Sequence, residues 1–224
     1  MKPKNILMQI PDLLTLLNLL MGFTAIVFIL QSDPTKAALS ILLAVLLDIS
    51  DGFFSRRLNT SSKFGLELDS LADMASFGIA PGIIAYTVFL KSSGGVMLSA
   101  LIPLCSAIRL ARYNIIDDKN SFTGLPTPAM GGFIASLVLT GITVQTYHVA
   151  IWVVLLCALM VSEIPFHRYR RLPTKRFSKP LLLLLLSLIP PFFDIRLIIV
   201  PFLTYIILGV VTHFWRIAQT RSKS

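Results

Sequence analysis

The chain has 224 residues, of which 55% are hydrophobic and 14% charged, with 20 lysines and arginines against 11 acids and a formal net charge of +9. A soluble domain of this length has no need for so much apolar surface, and a mean hydropathy of +0.79 points instead to a protein whose solvent is the bilayer. The positive balance then faces anionic headgroups and phosphate-bearing substrates, and nucleic acid is not expected as a partner.

The first twelve residues are basic and reach Pro11 and Asp12 without a small-residue cleavage pattern, so they do not read as a signal peptide. Pro3 to Ile10 reads as an interfacial lead-in. Apolar runs follow at about 13–30, 36–54, 67–90, 95–116, 128–147, 149–163, 179–193 and 195–214. They predict an all-α polytopic helix bundle of about eight transmembrane helices. A beta-barrel would instead alternate polar and apolar residues. Pro165, Pro180, Pro190 and Pro191 crowd the sixth and seventh runs, which leaves a six-helix core as the minimum. With no repeat, long linker or low-complexity tract, residues 1–224 are expected to form one domain.

Placing the N-terminus in the cytoplasm puts 17 of the 20 lysines and arginines on inner segments and leaves only Lys36, Lys91 and Arg196 outside. This bias predicts both termini inside a multi-pass cell-membrane protein. The basic stretch from His167 to Lys179 reads as a positive-inside anchor, or as a clamp on anionic lipid or nucleotide phosphate. Cys105 and Cys157 read as packing residues. His148, His167 and His213 lack metal-ligand spacing, and Trp152 and Trp215 read as interfacial anchors.

The chemistry-bearing stretch is Asp48-Ile-Ser-Asp51-Gly52-Phe-Phe-Ser55-Arg56, followed after eight residues by Gly65-Leu-Glu-Leu-Asp69-Ser-Leu-Ala-Asp73. Asp48 and Asp51 are three apart, Asp69 and Asp73 four apart, so each pair shares a helix face. A short turn near Asn59 to Ser62 is expected to make the two helices antiparallel neighbours whose acidic faces meet near the cytoplasmic surface. Four carboxylates converging there cannot all remain ionised and unpaired, and one or two hard divalent cations, Mg²⁺, Mn²⁺ or Ca²⁺, resolve the conflict. Gly52, one turn after Asp48, admits a diphosphate to the helix backbone. Gly65 opens the start of the next helix, and Arg56 offers a forked donor for phosphate oxygens. Together they suit metal-assisted displacement at phosphorus. Taken singly, Asp51 or Asp69 reads as a solvated acid or a cap.

This pattern resembles the signature of the CDP-alcohol phosphatidyltransferases, Asp-x2-Asp-Gly-x2-Ala-Arg-x8–9-Gly-x3-Asp-x3-Asp, with Ser55 where the family usually has alanine. The resemblance implies that Asp48, Asp51, Asp69 and Asp73 hold two metal ions. It makes Asp73 the general base, sets Gly52, Ser55, Arg56 and Gly65 against the CDP-lipid, and makes CMP the leaving group. Ser76-Phe77-Gly78-Ile-Ala-Pro81, Arg109-Leu-Ala-Arg112-Tyr-Asn114 and Phe122-Thr-Gly124-Leu-Pro126-Thr-Pro128 look like the small bacterial and archaeal serine-using branch. The implied substrates are CDP-diacylglycerol or CDP-archaeol and L-serine, with Ser76, Arg109, Arg112 and Asn114 as acceptor-binding candidates. Arg109 and Arg112 share a helix face and suit a carboxylate or a lipid phosphate, or serve as positive-inside anchors. Gly124, Pro126 and Pro128 read as turn residues. The resemblance also suggests a homodimer, and Gly131, Gly132, Ala135 and Ser136 permit close helix packing. Two competing readings are the same chemistry on glycerol 3-phosphate, inositol phosphate or another alcohol, and a metal-ion or proton-coupled transporter.

Overall fold

The computed structural model describes residues 10–58, 62–115, 124–164, 166, 183–184 and 186–221, apart from the side chains of Arg56 and residues 216–221. The stretch from His167 to Lys179 lies outside the described residues.

Every element among the described residues is helical. They are α1 (Ile10–Leu30), α2 (Pro34–Leu58), α3 (Lys63–Asp73), a π-helical segment (Met74–Ile79), α4 (Ala80–Val88), α5 (Gly95–Ile115), α6 (Thr127–Leu139), α7 (Thr146–Val161), a short α8 (Pro190–Phe193), a 3₁₀ turn (Ile195–Ile198) and α9 (Ile199–Arg221). Among the described residues, five stretches are long and apolar enough to cross a membrane: Ile10–Leu30, Pro34–Ser55, Lys63–Val88, Gly95–Ile115 and Ile195–Trp215. The fold is therefore an all-α membrane bundle.

One of the eight anticipated spans is shorter than expected. The run at 128–147 forms a helix only as far as Leu139. Thr140 caps it, Gly141 turns the chain at φ +65°, and its N–H bonds the Val138 carbonyl. Of the run at 179–193, residues 179–182 and 185 lie outside the described residues, and its end forms α8.

Local chemistry explains several boundaries. Asp33 precedes Pro34 and accepts from the Lys36 backbone N–H at 3.0 Å, while the Lys36 ammonium stands 2.8 Å from its other oxygen. A side-chain cap followed by proline at the first helical position is a helix start. The same Lys36 contacts hold the exposed Asp33 carboxyl below its ordinary range. Ser62 starts α3 by accepting from the Gly65 N–H at 2.8 Å. From Lys63 to Val88 the chain runs as one rod through the π segment, whose end is marked by the Ala80 N–H bonding the Ala75 carbonyl, five residues back. Pro81 follows at once, and having no N–H it cannot continue the normal ladder.

The π segment occupies the centre of the bundle, with α1, α5 and α6 packed on it. α1 packs most extensively along α2 and also lies against α3, so it stands beside both acidic helices. Alanines make the close approaches: Ala25, Ala37, Ala38, Ala44, Ala80 and Ala85 are all fully buried. The small residues of α6 serve this intrachain packing. A Cβ on Gly131 would meet Phe77, and one on Gly132 would strike Phe202 of α9.

Candidate metal and phosphoryl-transfer site

Asp48 and Asp51 come from the second half of α2 and Asp69 from α3. One carboxylate oxygen from each lies within 4.8 Å of the other two. Asp69 Oδ1 is buried and has no hydrogen-bond partner among the described residues. Three convergent hard oxygens, one of them an orphaned acceptor, fit a divalent cation.

Asp73, expected as a fourth ligand, is not part of this three-acid group. It lies one turn further along the rod, buried beneath α1 and α6. Its Oδ1 accepts from Asn18 Nδ2 at 3.3 Å and its Oδ2 from the Thr127 hydroxyl at 3.1 Å. Thr127 Oγ1 in turn accepts from Arg109 Nη1 at 3.1 Å. The result is a buried relay from Arg109 through Thr127 to Asp73, with Asn18 on the opposite oxygen. Asp48 and Asp69 are within coulombic range of the same carboxyl.

The loop that delivers Thr127 is docked on the end of α7. Gly124 N–H bonds the Ile164 carbonyl at 2.9 Å and Leu125 N–H bonds the Leu159 carbonyl at 3.0 Å. Gly124 adopts φ +86°, and a Cβ there would collide with the Met160 carbonyl oxygen. Glycine is required at this point by both conformation and space.

The remaining candidates are distributed as follows. Gly52 and Ser55 are half-buried on α2, and Arg56 lies on the same helix. The space a Cβ would take at Gly65 is met by Asp12 Oδ1 at 2.9 Å, so Gly65 admits α1 to the start of α3. Ser76 is fully buried and donates to the Asn18 backbone carbonyl at 2.9 Å. Gly22 sits opposite, its missing Cβ leaving room for the Ser76 backbone at 2.7 Å. Asn114 donates to Glu67 Oε2 at 3.1 Å and accepts from the Ser70 hydroxyl at 3.2 Å, joining α5 to α3. Arg112 does not share the surroundings of Arg109. It is exposed and donates to the Val161 carbonyl at 2.7 Å, at the end of α7.

Four side chains of the site were not anticipated: Asp12, Thr15, Asn18 and Thr127. All are buried. The Thr15 hydroxyl lies 2.9 Å from Asp51 Oδ2 and 3.0 Å from the Pro11 carbonyl, and donates to one at a time. The signal was present in the sequence. Asp12, Thr15 and Asn18 recur every three residues in an otherwise apolar helix, with Gly22 four further on, which defines one face.

A membrane bundle carrying convergent carboxylates and a separately held buried aspartate defines a class of intramembrane, metal-assisted group-transfer protein. The model of the CDP-alcohol phosphatidyltransferase family matches residues 8–164, and the chain belongs to that family. It is similar to the CDP-diacylglycerol–serine O-phosphatidyltransferase of Helicobacter pylori, 35% identical over 201 residues that cover 84% of each chain. The Bacillus subtilis protein of the same name is 35% identical over 165 residues, 72% of this chain and 92% of that one. The archaetidylserine synthase of Methanothermobacter thermautotrophicus is 34% identical over 163 residues, 71% of this chain and 70% of that one.

Proposed function

We propose that this protein transfers the phosphatidyl group of CDP-diacylglycerol, or the corresponding group of CDP-archaeol, to the hydroxyl of L-serine, releasing CMP at the cytoplasmic face of the membrane. The observation that carries the reading is the pairing of three convergent carboxylates with a fourth, Asp73, held at both oxygens. Family membership and relatives named for serine transfer support the same conclusion.

Asp48, Asp51 and Asp69 are the residues to hold divalent cations, Mg²⁺ or Mn²⁺ with Ca²⁺ as an alternative. When bound, such ions supply neutralisation of diphosphate charge. Arg56, two turns after Asp48 on α2, is the cation for the diphosphate oxygens. Each Asp73 oxygen keeps a lone pair beyond those used by Asn18 and Thr127, and one of these takes the serine hydroxyl proton. The serine oxygen bonds to the lipid-side phosphorus, the phosphorus–oxygen bond to CMP breaks, and CMP leaves with that electron pair. The buried Arg109 guanidinium is the group for the acceptor carboxylate. The working unit is a homodimer, with the lipid entering from the inner leaflet.

The test is CMP release by the purified protein with CDP-diacylglycerol and Mg²⁺ or Mn²⁺, across L-serine, glycerol 3-phosphate and inositol phosphate. Release stimulated by L-serine alone supports the reading. Release with another acceptor keeps the metal site and discards serine. Folded protein that releases no CMP under any condition overturns the enzymatic reading in favour of transport.

A further inference from the structure

Asn18 is fully buried, and its two amide atoms are unequally employed. Nδ2 donates to Asp73 Oδ1, whereas Oδ1, equally buried, has no hydrogen-bond partner among the described residues. The amide orientation follows from chemistry. An ionised carboxylate only accepts, so the NH₂ faces Asp73 and the carbonyl oxygen is turned to the other side. Buried polar atoms are satisfied in folded proteins, and an orphan beside a reactive group is where a ligand donor belongs. The oxygen requires an N–H or O–H donor, and it shares a side chain with the group that holds the proposed base.

We infer that Asn18 Oδ1 receives the ammonium group of the acceptor, so that the site selects an alcohol bearing an amine on the neighbouring carbon. This rests on the proposed transfer reaction and deepens it. A hydroxyl on Asp73 and an amine on Asn18 Oδ1 place the two functional groups of one small molecule on two adjacent side chains. A hydrogen bond to a charged donor in a buried site is strong, and a buried acceptor left without its donor discriminates sharply against analogues that lack it. Ser76 supports the arrangement by bonding the Asn18 backbone carbonyl, which fixes this turn of α1 against the π segment. Asn18 is thus a specificity-determining residue through Oδ1 and a positioning residue for Asp73 through Nδ2.

The two roles separate experimentally. CMP release by the full chain is measured with L-serine and with 3-hydroxypropanoate, which keeps the hydroxyl and carboxylate but lacks the amine. The wild-type protein is expected to prefer L-serine strongly. Asn18→Leu removes both amide groups. It is expected to raise the KM for L-serine about ten- to a hundredfold and to shrink the preference over 3-hydroxypropanoate by a similar factor. Asn18→Asp keeps an oxygen for the amine but loses the donor to Asp73, so it is expected to lower kcat while retaining the preference. A wild-type protein indifferent to the amine, or Asn18→Leu lowering kcat at unchanged KM and preference, overturns the inference and leaves Asn18 only a support for Asp73. Wild-type protein that releases no CMP with L-serine would instead defeat the serine reading beneath it.

Discussion

Thr127 is the side chain through which the buried cation and the proposed base communicate. Its single hydroxyl accepts from Arg109 and donates to Asp73, and all three residues are buried. Thr127→Val preserves the shape of the side chain and removes both bonds. Each stranded partner then bears a desolvation cost of about 1–3 kcal/mol, and Asp73 loses one of its two restraints. The expected result is a kcat lower by about ten- to a hundredfold, with little change in the KM for the CDP-lipid. Thr127→Ser restores the hydroxyl and is expected to recover most of the loss. Full kcat in Thr127→Val would show that Asp73 works without this bond.

At the scale of elements, the end of α7 gathers the pieces that set Thr127. Helix ends leave carbonyls without intrahelical partners and carry a negative dipole, and here they are met by the Leu125 N–H and by Arg112. Arg112→Ala is therefore expected to lower stability by about 1 kcal/mol, read as a reduced Tm, while the KM for L-serine stays unchanged. A raised KM at unchanged Tm would put Arg112 on the acceptor instead. The same elements show what the sequence could and could not disclose. The acidic pairs were legible because spacings of three and four map directly onto a helix face, and the structure brings Asp48, Asp51 and Asp69 together. The place of α1 was not legible. Asp12 read as a residue before the first helix, and the polar face of α1 was lost in an apolar run, so the partner expected between the acidic helices was only a turn. The π segment had no periodic signature, because its widened ladder is a local response to Pro81 and to packing on three sides. The loop before α6 was legible as a turn from Gly124, Pro126 and Pro128, but such residues describe chain direction and say nothing of which side chain the turn delivers.

For the molecule as a whole, the bilayer reverses the usual sorting of residues. Many large apolar side chains face outward, with Leu30 and Met97 each 76% exposed, while fully buried alanines make close inner contacts. Hydrophobicity alone does not sort the residues, since large apolar side chains such as Phe77 and Ile41 are fully buried while others face outward, as expected where the surrounding solvent is as apolar as the core. The length rule also bends. α6 has 13 residues, about 20 Å of helix against a hydrocarbon thickness of about 30 Å. It survives because protein surrounds it, every residue from Ala129 to Leu137 being buried. The five long stretches are exposed to lipid and must obey the rule, and successive crossings must alternate. With the N-terminus inside, the α1–α2 turn and the turn before α5 fall outside, and the start of α3, close to the acidic site, falls in the cytoplasm. Single cysteines at Gln31, Ser92 and Lys63, all exposed positions in the structure, test this. The native thiols add little background, Cys157 being buried and Cys105 partly so. A membrane-impermeant maleimide applied to intact cells is expected to label Gln31→Cys and Ser92→Cys, and Lys63→Cys only after permeabilisation. The reverse pattern would place the carboxylates on the outer face, where cytoplasmic serine cannot reach them, and would require a different acceptor supply.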